Sequence, residues 1–221
     1  MLSTLLRVVA CWLLIAGVVR AESVERSSVV TDYTATLWAD ADGHPVGAVS
    51  SIVQDRDGYL WVGSTAGLFR FDGVRFTPWN QLSDARLPAT WVSSLLIAAD
   101  GTLWVGFGDE STVAHIRGRS ADVQSLPGSG PVAAIAQDRN GVLWVAAAFS
   151  LYRLDGARWT HTVVWSEFPQ LRVHDVTLAR NGHLLVSTER GVFEHRAGSQ
   201  TLERIAEGYV WSIGEDSNGR L

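Results

Sequence analysis

One frame of sequence occurs four times in this chain and starts a fifth time. It reads VSSIVQDRDGYLWVG at residues 49–63, VSSLLIAADGTLWVG at 92–106, VAAIAQDRNGVLWVA at 132–146 and VHDVTLARNGHLLVS at 173–187. The turn glycines Gly58, Gly101, Gly141, Gly182 and Gly219 stand 43, 40, 41 and 37 residues apart. Short apolar runs and tight turns fill each period, and no helical spacing does. A period of about 40 residues of this kind points to an all-β fold, a β-propeller in which each repeat builds one four-stranded blade.

The first copy shows how the residues do this. Val49, Ile52 and Val53 make a short apolar strand, and Asp55-Arg56-Asp57-Gly58 makes a hairpin turn. Asp and Gly tolerate the backbone that such turns need. Residues 59–64 form a second strand, in which Trp61 offers a wide packing face and Gly63 allows close backbone approach. Residues 68–71 and 74–77 follow as third and fourth strands, joined through Asp72-Gly73. Trp61 recurs as Trp104 and Trp144 and is replaced by Leu185; Gly63 recurs as Gly106, then as Ala146 and Ser187. The expected blades are residues 49–77, 91–123, 131–160 and 171–204. A fifth, at 208–221, matches residues 49–60 and is expected to continue beyond Leu221. The expectation is an open arc of a seven-bladed ring whose last blade surface is exposed and apolar.

Residues 1–21 stand apart. A short segment with one Arg precedes the apolar run 8–19, and Val19-Arg20-Ala21 suits a cleavage site, which predicts a secretory signal peptide. The other reading of the segment is an uncleaved amino-terminal anchor. Residues 22–48 are a lead-in, in which 32–40 could supply a strand that closes the ring. Cys11 is the only cysteine, so no disulfide or thiol chemistry is expected in the exported part. The 18 basic residues are all arginine and face 23 acidic ones. An acidic exported chain without a basic patch is a poor partner for nucleic acid or anionic lipid.

The frame V-x-x-I-x-x-D-x-x-G-x-L-W-V-G-T-x-x-G-L-x-R-[FY]-D-G, together with the lead-in from Leu37-Trp38 to Gly43, resembles the two-component regulator propeller repeat. The resemblance covers about residues 34–221 and departs from the pattern at Ala146 and Leu185. It implies a periplasmic ligand-sensing region of an inner-membrane hybrid histidine kinase or diguanylate cyclase. In such proteins a longer propeller precedes a transmembrane helix and the cytoplasmic signalling domain. It further implies a homodimer formed through the full-length sensor, with membrane contact only through a carboxy-terminal part. This fragment would itself be non-catalytic, since no kinase or cyclase motif falls on any position here.

Candidate chemistry is sparse. The D-x-[DN]-G turns lack the later bidentate Glu of a calcium loop and run straight into a strand, so they read as hairpins. The six histidines have no metal-type spacing, and neither a nucleophile elbow nor a phosphate-binding glycine loop is present. No catalytic residue, metal or cofactor is expected. The irregular linkers 78–90, 124–130, 161–170 and 205–208 are better places for function than the frame, as is the longer loop of blade two at 107–112. Trp79, Trp91, Trp165 and Phe168 lie in or beside linkers, where flat faces could stack on an extracellular small molecule or glycan. Arg86, Arg172 and Asp175 are polar neighbours that could complete such a site. The alternative for these aromatics is packing beneath their own loops. Two other functions stay open: a propeller lyase or hydrolase, needing Arg, His and acids gathered from several blades, and a protein-interaction scaffold, needing a broad apolar patch.

Overall fold

The computed structural model describes residues 46–128, 130–163, 171–196, 199, 201–216 and 218–221. All belong to the second of two compact units, residues 38–221. The expected signal peptide, most of the lead-in, Trp165 and Phe168 lie outside the described residues.

The fold is all-β. Sixteen strands form four antiparallel four-stranded sheets, each paired in chain order. Blade one is β1 (Val49–Gln54), β2 (Leu60–Ser64), β3 (Gly67–Phe71) and β4 (Phe76–Pro78). Blade two is β5 (Val92–Ile97), β6 (Leu103–Phe107), β7 (Thr112–Arg117) and β8 (Ser120–Ser125). Blade three is β9 (Val132–Gln137), β10 (Leu143–Ala147), β11 (Ser150–Asp155) and β12 (Arg158–Val163). Blade four is β13 (Val173–Leu178), β14 (Leu184–Thr188), β15 (Gly191–His195) and β16 (Leu202–Glu207). The one described helix, α1 (Trp79–Leu82), is a single turn in the first linker.

The outer strands differ most from the sequence reading. Residues 78, 124–125, 161–163 and 205–207 continue β4, β8, β12 and β16 and are not linkers, while Val74 sits exposed in a turn ahead of β4. The outer strand β16 is exposed at five of its six residues, so no apolar alternation marks it.

The D-x-[DN]-G segment is a hairpin held by its first carboxylate. Asp55 Oδ1 accepts the Asp57 and Tyr59 amides at 3.0 Å each, and its Oδ2 accepts the Trp61 indole N–H at 2.8 Å. Gly58 takes φ +88°, which L-residues with a Cβ rarely adopt. Asp138 does the same for Asn140, Val142 and Trp144. Ala98 and Ala179 stand in this place in blades two and four. There Trp104 packs edge-on against Trp159 at 5.9 Å, and Leu185 replaces the tryptophan.

Blades pack face to face through their inner strands. Val92, Val132 and Val173, the first residues of β5, β9 and β13, are 0–2 % exposed. Leu95, Ile135 and Val176, three residues on, are buried beside them. Their counterparts in blade one, Val49 and Ile52, are 49 % and 57 % exposed.

Side-chain ties also cross between blades. The third residue of the frame accepts an inner-strand amide from the next repeat: Ser51 from Leu95, Ser94 from Ile135, and Asp175 from Ile213. The second residue binds the next repeat's first carbonyl, as Ser93 does to Val132 and His174 to Val210. The sixth accepts a turn amide of the preceding blade: Gln137 from Ala99, and Glu215 from Arg180. At the seam between blades three and four these places hold Ala133, Ala134 and Leu178, which have no polar side-chain atom. That seam is joined by an apolar cluster around Leu171, Val173, Leu184 and Val186, and by the Val173 amide donating to the Ala148 carbonyl.

The tie predicts opposite effects at two equivalent sites. Ser94→Ala leaves the Ile135 amide without its acceptor and is expected to lower unfolding free energy by about 1–3 kcal/mol. Ala134→Ser supplies the missing oxygen and is expected to raise it by about 0.5–1.5 kcal/mol. Urea unfolding of the two variants checks both signs.

Candidate functional site

Each inner strand carries a β-bulge at the same place. Val49 and Ser51 pair with successive residues of β2, so Ser50 has no partner across the ladder. Ser93, Ala133 and His174 are the equivalent unpaired residues in β5, β9 and β13. A bulge re-aims the extra side chain out of the ladder. These four side chains therefore leave the blade interior and line one mouth, where the linkers meet the turns between second and third strands.

The mouth is a cavity of about 860 Å³. Its inner row is Ser50, Ser93, Ala133, His174 and Trp211, so it is small on three blades and large beyond them. Its rim holds the residues two positions earlier: Trp91, Pro131 and Arg172. Phe149, from the β10–β11 turn, adds a third large aromatic. Trp91 and Phe149 are each 41 % exposed and Trp211 is 69 % exposed.

The local chemistry fixes several of these groups. The Trp91 indole covers Gly108, where any Cβ would overlap the ring, and its N–H donates to Ser50 Oγ at 3.4 Å. His174 packs against both Tyr209 and Trp211, with ring centroids at 4.9 and 4.8 Å, and those two rings stack on each other at 6.4 Å. Its Nδ1 is 2.9 Å from the Val210 carbonyl, which can only accept, so Nδ1 carries the hydrogen. Asp175 Oδ2 accepts Ser212 Oγ at 2.8 Å as well as the Ile213 amide. The Arg172 guanidinium sits over the Phe149 ring at 5.9 Å.

Ala148 is strained here. It has φ +49°, and it is the only non-glycine with positive φ among the described residues. Blades one and four place Gly67 and Gly191 at the end of the equivalent turn, with φ +131° and +134°. Blade three has Ser150 there, and the left-handed conformation moves back to Ala148, with Phe149 brought out at the mouth. Strain of this kind gathers at binding sites.

Trp91, Arg172 and Asp175, which the sequence places beside linkers, thus line one cavity. Trp79 and Arg86 lie elsewhere, in a separate cleft of about 460 Å³ formed by the first linker. Trp79 is 5 % exposed, donates its indole N–H to the Ala85 carbonyl at 2.6 Å and packs on Trp61. It lies beneath its own loop, the alternative held open for these aromatics. Phe149, His174 and Trp211 were not singled out by sequence. The signal that could have found His174 and Trp211 is the second place of the frame, which reads Ser, Ser, Ala, His, Trp while the valine before it stays constant. The other described histidines bind neighbours on their own blades: His115 to Asp122, His161 to Ser150, His183 to Glu194, and buried His195 to the Ser199 carbonyl. Among the described residues no three His, Cys, Asp or Glu side chains gather as a metal site. No described helix is long and apolar enough to cross a membrane.

Two segments, residues 43–66 and 125–148, match the family model described as two component regulator propeller. The fold resembles the extracellular domain of BT3049 from B. thetaiotaomicron, assigned as a hybrid two component system. That likeness has a TM-score of 0.61 and 21 % identity over 77 % of this chain and 24 % of that one. The extracellular domain of BT4673 from the same organism, assigned as a one component system, gives 0.61 and 19 % over 83 % and 24 %. Virginiamycin B lyase from Staphylococcus aureus, crystallised with quinupristin, gives 0.57 and 14 % over 68 % and 53 %. At these identities the likeness is one of fold. The chain spans about a quarter of the length of the sensor domains and about half that of the lyase. No curated protein matches it.

Ala148→Gly relieves the left-handed strain and is expected to raise unfolding free energy by about 0.5–1 kcal/mol. A lower midpoint in thermal or urea unfolding would show that the Ala148 methyl does more than bear strain.

Proposed function

We propose that this chain, which carries two component regulator propeller repeats, is a ligand-sensing region of an exported, membrane-bound signalling protein. The observation that carries the reading is the mouth. Four bulges send side chains of an otherwise repetitive frame to one cavity, and three partly exposed aromatics and an arginine surround it. A concave site of this size, with a few placed polar groups among apolar ones, suits a small molecule or a glycan. The similar propellers of B. thetaiotaomicron are extracellular domains of one and two component systems, which supports placing this one outside the cytoplasm. Together with the apolar run 8–19, this favours a periplasmic region of an inner-membrane protein, with a histidine kinase or diguanylate cyclase as output and a homodimer as the signalling unit.

Binding fits the mouth better than lyase chemistry does. Asp175 is engaged in joining repeats, through Ser212 and Ile213, and His174 commits its Nδ1–H to Val210 while its Nε2 is buried without a hydrogen-bond partner among the described residues, so no acid, base and arginine converge here as a lyase site needs. Trp91→Ala with Arg172→Ala in the complete sensor is expected to weaken the response to the inducing extract at least about tenfold. Autophosphorylation or cyclic dinucleotide output in membranes measures it, and an unchanged dose response would reject the mouth as the sensing site.

A further inference from the structure

The mouth has a charge and a shape that narrow its ligand. Two of its side chains are formally charged, and they differ in what they face. Asp175 already accepts two hydrogen bonds. Arg172 is exposed at the rim and has no ion pair among the described residues. On a chain with net charge −5, the mouth therefore presents a cation to solvent. Beside it stands the ring of Phe149, Trp91 lines the same mouth from its place on Ser50 and Gly108, and Ser50, Ser93 and Ala133 leave depth for a ring. These groups also belong to different sides of one seam. Trp91 and Phe149 belong to blades two and three, whereas Arg172 leads into blade four. Between them lies the junction at which Ala133, Ala134 and Leu178 supply no polar tie.

We infer that the mouth binds a small aromatic carboxylate across this seam, its carboxylate on the Arg172 guanidinium and its ring against Phe149 and Trp91. The inference rests on the reading of the mouth as the sensing site and names its ligand class. A guanidinium takes a carboxylate through two parallel N–H bonds, and a planar ring stacks with little loss of internal freedom. A neutral ring would leave the Arg172 guanidinium with only the Phe149 face and water, and a multiply charged anion would find one cation among apolar walls. A ligand held by both sides supplies the missing link between blades three and four. It favours the arrangement in which Arg172 and Phe149 are closest, which is the differential binding a sensor needs.

Isothermal titration of the purified 221-residue chain with benzoate, benzamide, cyclohexanecarboxylate and glucuronate tests this. Benzoate is expected to bind, benzamide at least about tenfold more weakly, and cyclohexanecarboxylate several-fold more weakly. Arg172→Ala should reproduce the loss seen with benzamide, and Phe149→Ala the loss seen with cyclohexanecarboxylate. Hydrogen exchange at the Val176 amide, across the seam from Ala134, should slow at saturating benzoate. Absence of benzoate binding, equal affinity for benzamide, or indifference to Arg172→Ala overturns the ligand class. Unchanged Val176 exchange at full occupancy overturns the bridging. Glucuronate binding that needs Arg172 and Trp91 overturns the aromatic class and leaves the sensing site standing. So does a silent benzoate titration alongside an altered output of the doubly substituted complete sensor. Silence in both removes both readings.

Discussion

The structure depends on how closely one blade can approach the next. A Cβ added at Gly63 would lie 2.5 Å from Val92 Cγ1, and one at Gly106 would lie 2.5 Å from Val132 Cγ1. The second strand of each early blade is therefore bare backbone where the next blade's first valine presses in. That contact makes Val92 and Val132 almost wholly buried, and it sets the reach of every side chain that crosses the junction. A serine hydroxyl can span it, which is why Ser51 and Ser94 meet the Leu95 and Ile135 amides at 3.1 Å.

The third junction follows a different rule. Ala146 stands where Gly63 and Gly106 stood, so the valine that faces it, Val173, meets a methyl group instead of backbone. The same junction has lost its serines to Ala133 and Ala134 and its acceptor to Leu178. The changes agree with one another: Ala133, Ala134, Ala146 and Leu178 offer apolar surface and no oxygen, while the Val173 amide donates to the Ala148 carbonyl and the Arg139 side chain lies over Gly182. Packing is non-directional, whereas a hydrogen bond fixes register. Among the described residues this junction has fewer side-chain hydrogen bonds from the frame than its neighbours do. It lies between Phe149 and Arg172, so the least directional junction of the four crosses the mouth.

The frame was legible because packing repeats. Four sheets, their hairpins and their inner valines follow from one period and a few residue types, and the D-x-[DN]-G turns read as hairpins from turn chemistry alone. The outer strands were less legible: β16 is exposed along nearly all its length, so it has no apolar rhythm to show. Trp91 and Arg172 could be picked out because they stand beside linkers, just ahead of the frame. Phe149 could not, because its place at the mouth comes from the left-handed backbone at Ala148, and nothing in an Ala-Phe pair announces that. His174 was hidden differently. In a regular strand its side chain would be one of an alternating series, and only the bulge aims it at the cavity.

That bulge explains how a repeat can hold a specific site. In a regular ladder every residue faces a neighbour above or below, and changing it disturbs packing. A bulged residue has no partner across the ladder, so it varies with little consequence for the sheet. Ser50, Ser93, Ala133 and His174 occupy such places, and Trp211 is their counterpart in the fifth copy. The valine before and the branched apolar residue two places after stay nearly fixed, because both are clamped between blades. The chemistry of the mouth can therefore change from small and polar to large and aromatic around the axis while the interfaces that hold the blades keep their form. Any ligand selected by this propeller is read chiefly by these bulged residues, whose side chains vary even where, as at Ser93 and His174, they also bind the next repeat.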